Sequence, residues 1–311
     1  MGTPEFAVPS LVQLVENPGF EVISVITQPD RPKGRGSRLV PSPVKRSALE
    51  LGLDVFQPES VNSPEALEVL YALKPDVITV VAFGQILGTK VLILPPMGCI
   101  NVHASLLPKY RGAAPIHWAV INGEEITGIT TMFMDRGMDT GDILLQEETK
   151  IESSESTGDL HHRLSLMGGR LLVKTLKLLK SGEVKRIPQD HSRATYAPML
   201  TRKDEKIDWG RSAAAVVNHI RGMNPWPGTY TTIDGHQLKI IKAGVKLTER
   251  NLSSTAKPGT ILDAGPMGLL VQAGDGYVLV GEVQPQNRAK MSVANFLRGY
   301  SVKIGQVLGG D

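Results

Sequence analysis

Cysteine is almost missing from this chain: Cys99 is the only one in 311 residues. A single thiol excludes an internal disulfide and any multi-thiolate metal site, and it points to a reducing, cytoplasmic setting. Long hydrophobic runs are missing as well. The most apolar stretch, around residues 77–83, is far too short to cross a bilayer. The opening MGTPEFAVPS has neither the basic region nor the apolar segment of a secretory signal. Neither sign of charge dominates, since 34 Lys+Arg stand against 31 Asp+Glu for a net of +3. Taken alone, that balance argues against a nucleic-acid partner. With 41% hydrophobic and 21% charged residues, the composition is that of a soluble globular protein, and it disfavours disorder and collagen-like repeats. The length is more than one core usually fills, so two domains are expected.

The first half alternates short apolar runs with helical stretches. EVISVIT (21–27) ends at the turn signal Gln28-Pro29-Asp30. VITVVA (77–82) is continuously apolar, as expected of a strand buried on both faces of a parallel sheet. GCINV (98–102) and ITTMFM (129–134) read as further strands, with helices over 9–15, 43–52 and 64–73. Such alternation predicts an open α/β sheet, with ligands bound beyond the carboxyl ends of its strands. Over 154–181, Leu160, Leu164, Met167, Leu171, Thr175 and Leu178 recur at helical spacing until Gly182 stops the run. A polar, proline-punctuated stretch follows and reads as a linker. From about Lys206 a short helix and many short strands suggest a small barrel of the OB type.

The densest polar cluster is NVHASLLPKYRGAAPIHW (101–118). Asn101 and His103, two apart at the end of a strand, project to the same side. Asp135, Asp139 and Asp142 follow the strand 129–134 and are expected at the equivalent edge of the sheet. A carboxamide, an imidazole and a carboxylate gathered there suit acyl transfer, because the first two can stabilise an oxyanion and the third can orient the imidazole or accept a proton. On residue types alone, the same side chains serve equally well to satisfy loop backbone groups. No histidine pair has metal-ligand spacing, so no metal is expected.

NVHASLLPKYRGAAP followed by MDTGD resembles the folate-dependent formyltransferase family, and the likeness extends to GTPEFAVPSL, TQPDRPKGRG, PSPVK, VVAFGQIL, IDW and NPWPGTY. It covers essentially the whole chain. The resemblance implies a Rossmann-like catalytic domain with an open, mostly parallel α/β sheet over 1–185, a linker over 186–203, and an OB-like β-barrel domain over 204–311 that binds tRNA. It further implies formyl transfer from 10-formyltetrahydrofolate to the amino group of methionine carried by initiator tRNA, in a monomer without metal. Asn101, His103 and Asp139 fall on the family's catalytic positions. Ser105, Leu106, Leu107 and Pro108, with Ala82, Phe83, Gly84, Ile86 and Leu87, fall on its folate site.

Between Asp30 and Arg46 lie six basic residues and one acidic. Glycines and prolines there predict a mobile loop, and its place inside a family motif assigns Arg31, Lys33, Arg35 and Arg38 to tRNA contact, with Arg35 first among them. Dividing the charge supports this assignment. Residues 200–311 hold 14 Lys+Arg against 9 Asp+Glu, a net of +5, whereas residues 1–199 hold 20 against 22. Lys203 and Lys206, with Arg211, Lys239, Lys242 and Lys246, are the candidate RNA contacts in the basic part. A formyltransferase acting on an amino-sugar nucleotide would share the three catalytic positions but has no need of the basic insert. One departure from the family pattern is that Met1 is followed at once by Gly2-Thr3-Pro4, without the short apolar strand that precedes this motif in the family. The expectation is a gap at the centre of the sheet, neighbouring strands short of a partner, and a start internal to the true reading frame.

Overall fold

The computed structural model describes residues 1–33, 38–247 and 256–310. They form two compact units. The first comprises Met1–Pro115, Ile126–Lys150 and His161–Pro198; the second comprises Ile116–Glu125, Ile151–Leu160 and Met199–Asp311. Neither unit is one stretch of chain. Segments 116–125 and 151–160, which read as parts of the catalytic half, group with the C-terminal residues.

In the first unit a 3-10 turn leads into α1 (Val8–Val15), followed by β1 (Val25–Ile26), β2 (Arg31–Lys33), β3 (Arg38–Val40), α2 (Pro43–Glu50), β4 (Val55–Phe56), α3 (Pro64–Leu73), β5 (Ile78–Val80), α4 (Thr89–Leu92) and β6 (Cys99–His103). Helix α5 (Pro115–Ile121), which apart from Pro115 groups with the second unit, precedes β7 (Ile126–Phe133), β8 (Ile143–Lys150) and the long α6 (Thr157–Ser181), whose residues up to Leu160 also group with the second unit. Local chemistry sets several of these limits. Ser42 and Ser63 cap α2 and α3 by accepting the backbone N–H of Lys45 and Ala66, each with proline at the first helical position. Gly182, at φ +74°, ends α6 in the left-handed region. The apolar stripe of α6 is buried as its spacing predicts, with Leu164, Met167, Leu171 and Leu172 at most 5% exposed.

Strands β5 and β6 are parallel, and so are β1 and β4. Strand β7 then runs antiparallel to β6, and β8 antiparallel to β7. Among the described residues, the two parallel groups meet through Met1 and Gly2. Gly2 bridges Val81 and donates its N–H to the Ile26 carbonyl, and the Met1 carbonyl accepts from Val81. The Met1 amine lies 2.6 Å from the Thr79 carbonyl. Beyond this stub, a cavity of about 460 Å³ opens between Val22, Ser24 and Ile26 on one side and Val77, Ile78 and Thr79 on the other. Among the described residues the run 21–27 is paired over Val25–Ile26, against Val55–Phe56. In the basic insert Arg31, Pro32 and Lys33 of β2 pair with Val40, Leu39 and Arg38 of β3, and the loop expected between them, over 34–37, lies outside the described residues.

The second unit holds α7 (Ala213–Gly222) and an antiparallel sheet of β9 (Thr229–Ile233), β10 (His236–Lys246), β11 (Ile261–Gly265), β12 (Gly268–Gln272), β13 (Tyr277–Pro285) and β14 (Met291–Ser292), closed by α8 (Val293–Gly299). The strand order is β11-β12-β13-β10-β9, with β14 on β13. Bulges near Lys242 bend the long β10. Its core joins Trp209, Ile220, Leu238, Val280 and Phe296. The Trp209 indole N–H is satisfied by Thr231 Oγ1 at 3.1 Å.

Burial pushes the Met1 amine from its usual value of 8.0 down to about 5. Between those limits the unfolded chain holds the extra proton, so this group's contribution to stability rises with pH from about 5 to 8 and levels off outside that window. For a chain beginning at Met1, denaturant melts across this range should show that slope, and Nα-acetylation, which removes the titration, should flatten it.

Candidate active site

Strand β6 carries two of the three polar side chains. Asn101 lies opposite Met132 of β7 and His103 opposite Thr130, so both occupy one face of the sheet. The Asn101 carboxamide has no hydrogen-bond partner among the described residues and is half-buried, an arrangement that leaves donors and an acceptor free for a ligand. The His103 side chain is only 6% exposed. Its Nε2 sits 2.9 Å from the Tyr110 carbonyl oxygen. A carbonyl only accepts, so Nε2 carries a proton, and Nδ1 is left facing Asp139 Oδ2 at 3.7 Å.

Asp139 arrives by an unexpected route. Because β7 runs antiparallel to β6, Phe133 at its end lies beside Ile100, near the start of β6. The loop 135–142 therefore leaves from the opposite edge of the sheet, not from the edge where β6 ends. It folds back over the face to bring Asp139 to His103. The residue takes φ +53°, a left-handed conformation unusual for a side chain with a Cβ. Its Oδ2 accepts the Gly112 N–H at 2.8 Å. Asp135 and Asp142 serve the loop itself. Asp135 Oδ1 accepts from Gly137 N and Thr140 Oγ1, and Asp142 pairs with Arg186, whose guanidinium lies over the Phe133 ring.

The loop after β6 is fastened to a distant part of the chain. Tyr110 N–H donates to Thr195 Oγ1, Arg111 N–H to the Thr195 carbonyl, and Ala114 N–H to the Ala197 carbonyl. Ile187 exchanges backbone bonds with Ile143, and Gln189 is buried. Residues 187–197, which read as linker, thus have specific partners in the first unit. Their polar, aperiodic composition gave no sign of this. Tyr110, Arg111, Gly112 and Gln189 all bear on the site and were missed by sequence reasoning, because three of them act through backbone groups or buried contacts and Gln189 is remote in sequence.

The other candidate ligand residues divide by exposure. In loop 82–87, Phe83 and Leu87 are core residues, at 2% and 4% exposure, whereas Ile86 is 87% exposed. Gln85 holds the loop by accepting Val61 N–H and donating to the Pro58 carbonyl, and Asn62 bonds Ile86 O and Gly88 N. Thr3 and Gln28 both donate to the Phe83 carbonyl. Ala82 and Gly84 are exposed and Leu106 and Pro108 half-buried, but Ser105 and Leu107 are buried. Ser105 Oγ donates to the Lys109 carbonyl and Thr130 Oγ1 accepts from Leu107 N–H, so these two shape the loop from beneath. Arg31 is exposed and pairs with Glu59 at 3.6 Å. Lys33 and Arg38 face each other in backbone register, and Arg35 lies outside the described residues. Lys203 and Lys206 are exposed in the second unit. Among the described residues, no group of three His, Cys, Asp or Glu is placed to hold a metal ion.

Against known proteins, residues 1–176 match the family model described as formyl transferase, and residues 199–301 match that of the formyl transferase C-terminal domain. The methionyl-tRNA formyltransferase of Desulforamulus reducens is 51% identical over 309 residues, which is 99% of this chain and 96% of that protein. That of Syntrophus aciditrophicus is 50% identical over 310 residues, covering 99% and 97%. Among solved structures, the N-formyltransferase from Helicobacter canadensis, in complex with folinic acid and dTDP-3-aminofucose, is similar in fold. Its TM-score is 0.68 at 20% identity, covering 91% of this chain and 97% of that one.

Gly112 is the position where these constraints meet. Its φ is +115°, and a Cβ there would stand 2.8 Å from the Ala197 carbonyl oxygen. Gly112→Ala should therefore lower stability by about 1 kcal/mol or more and draw the N–H away from Asp139. A thermal melt paired with a turnover assay checks both effects.

Proposed function

The chain belongs to the formyl transferase family, and on that footing we propose that it transfers the formyl group of 10-formyltetrahydrofolate to the amino group of methionine esterified to initiator tRNA. One conjunction carries the reading: the full-length likeness to methionyl-tRNA formyltransferases coincides with an unpartnered Asn101 carboxamide, a His103 ring oriented by Tyr110, and an Asp139 carboxylate turned toward that ring.

In this reading the methionine amine attacks the formyl carbon and the carbonyl electron pair moves onto oxygen. Asn101 donates its amide N–H to that oxygen, and His103, carrying a proton on Nδ1 as well as on Nε2, donates from Nδ1, the ring nitrogen not engaged by Tyr110. Donors already aimed at the developing charge cost no reorganisation when the barrier is crossed. Asp139 holds the imidazole in its working state and helps remove the amine proton. As the intermediate collapses, the bond from carbon to the folate nitrogen breaks and that nitrogen takes up a proton, leaving the formamide and tetrahydrofolate.

The donor lies against the exposed Ile86, Gly84 and Ala82 and against Leu106 and Pro108, while Phe83, Leu87, Ser105 and Leu107 hold those surfaces from within. An exposed isoleucine on a firmly tethered loop suits the flat apolar face of a pteridine ring. Arg31, Lys33, Arg35 and Arg38 of the basic insert, and Lys203 and Lys206 in the basic second unit, meet tRNA phosphates. No helix among the described residues is long and apolar enough to cross a membrane, and we place the protein in the cytoplasm as a monomer.

The test is formyl transfer from 10-formyltetrahydrofolate to Met-tRNA, with free methionine and an amino-sugar nucleotide as controls. Formylation of the tRNA alone is expected, and formylation of the sugar but not the tRNA overturns the choice of acceptor. Asn101→Ala and His103→Ala should each cost ~100- to 1000-fold in kcat. Replacing Lys203 or Lys206 by Ala should weaken tRNA binding and flatten the log K against log salt slope by about 1 for each phosphate no longer neutralised.

A further inference from the structure

The Arg111 guanidinium is 2% exposed, among the largest fully buried side chains. Burying a charge is expensive unless it is paired, yet no carboxylate bonds to it. Its partners are neutral: Nε and Nη2 donate to Gln189 Oε1 at 3.2 and 2.6 Å, and Nη2 lies 3.2 Å from His191 Nδ1. Gln189 in turn uses its whole amide. Its Nε2 donates to the Asp139 carbonyl at 2.9 Å and to the Gly141 carbonyl at 2.8 Å. A cation on the amide oxygen polarises the group and strengthens both bonds from its nitrogen. The residue so held is the one in left-handed conformation, whose carboxylate is anchored to the N–H of Gly112, next to Arg111 in the chain.

We infer that Arg111 and Gln189 are positioning residues for the formyl transfer. Arg111 polarises and aims the Gln189 amide, and the amide clamps the backbone of Asp139 and Gly141, so that the Asp139 carboxylate is held toward His103. Neither residue touches substrate. The inference rests on the assignment of Asp139 to the chemistry, and it explains why a buried cation is retained where an apolar side chain would cost less to bury.

Gln189→Glu separates positioning from stability. The carboxylate keeps its contact with Arg111, now as an ion pair, but it loses both N–H donors and sets oxygen against the carbonyls of Asp139 and Gly141. The expected result is a fall of about 100-fold in kcat, as for a misplacement near 1 Å, with KM for donor and tRNA unchanged and the melting temperature at or above that of the parent. Arg111→Lys, which keeps the charge but loses the fork, should fall between the two and covers the case in which Gln189→Glu melts early. The decisive measurement is a double-mutant cycle. In the Asp139→Ala background, Gln189→Glu should cause no further loss. An unchanged kcat in both single variants, or full additivity with Asp139→Ala, overturns the inference. If Asp139→Ala itself leaves turnover intact, the assignment of Asp139 fails, and the positioning inference falls with it.

Discussion

A change of strand direction governs the neighbourhood of His103. The sheet is parallel up to β6 and then turns antiparallel, so the segment after β7 starts from the far edge and has to cross the face to supply a carboxylate. A crossing loop of this kind has no ladder of its own and must be held from outside. The surrounding contacts meet that need. Gly112 holds the Asp139 carboxylate, Gln189 holds its backbone, and the strap 187–197 holds the loop that bears Gly112. Removing the antiparallel turn would remove the reason for most of them.

The two ring nitrogens of His103 show how such a scaffold acts on chemistry. A backbone carbonyl occupies Nε2 and thereby chooses which nitrogen is available. The source of this constraint is Tyr110, itself at φ +60° and buried. Its backbone conformation is maintained by the bond from its N–H to Thr195. Orientation of the imidazole is thus determined far along the chain, by residues with no chemical role of their own.

What could be read from the chain follows a physical division. Periodic features were legible: the stripe of α6, the two-residue spacing that puts Asn101 and His103 on one face, and the serine-proline starts of α2 and α3. The likeness in MDTGD singled out Asp139, but its path was not legible, because strand direction leaves no mark in side-chain periodicity. Strand β8 alternates half-buried and exposed positions from Leu145 on yet carries Gln146, Glu147 and Glu148, whose polarity masked it. Gln189 was invisible for a related reason, since its partners are backbone carbonyls remote in the chain. The strand 21–27 was over-read because apolar composition reports burial, while pairing depends on how far the neighbours extend.

The two-residue seam at Met1 and Gly2 also has a mechanical meaning. Gly2 gives its N–H to Ile26 and Met1 accepts that of Val81, so both strands are fixed to one short piece of backbone. Thr3 and Gln28, which lie just past the seam, both anchor the Phe83 carbonyl. The position of that backbone is thereby passed to the loop bearing Ile86, so the sheet's interior bears on how that loop is presented.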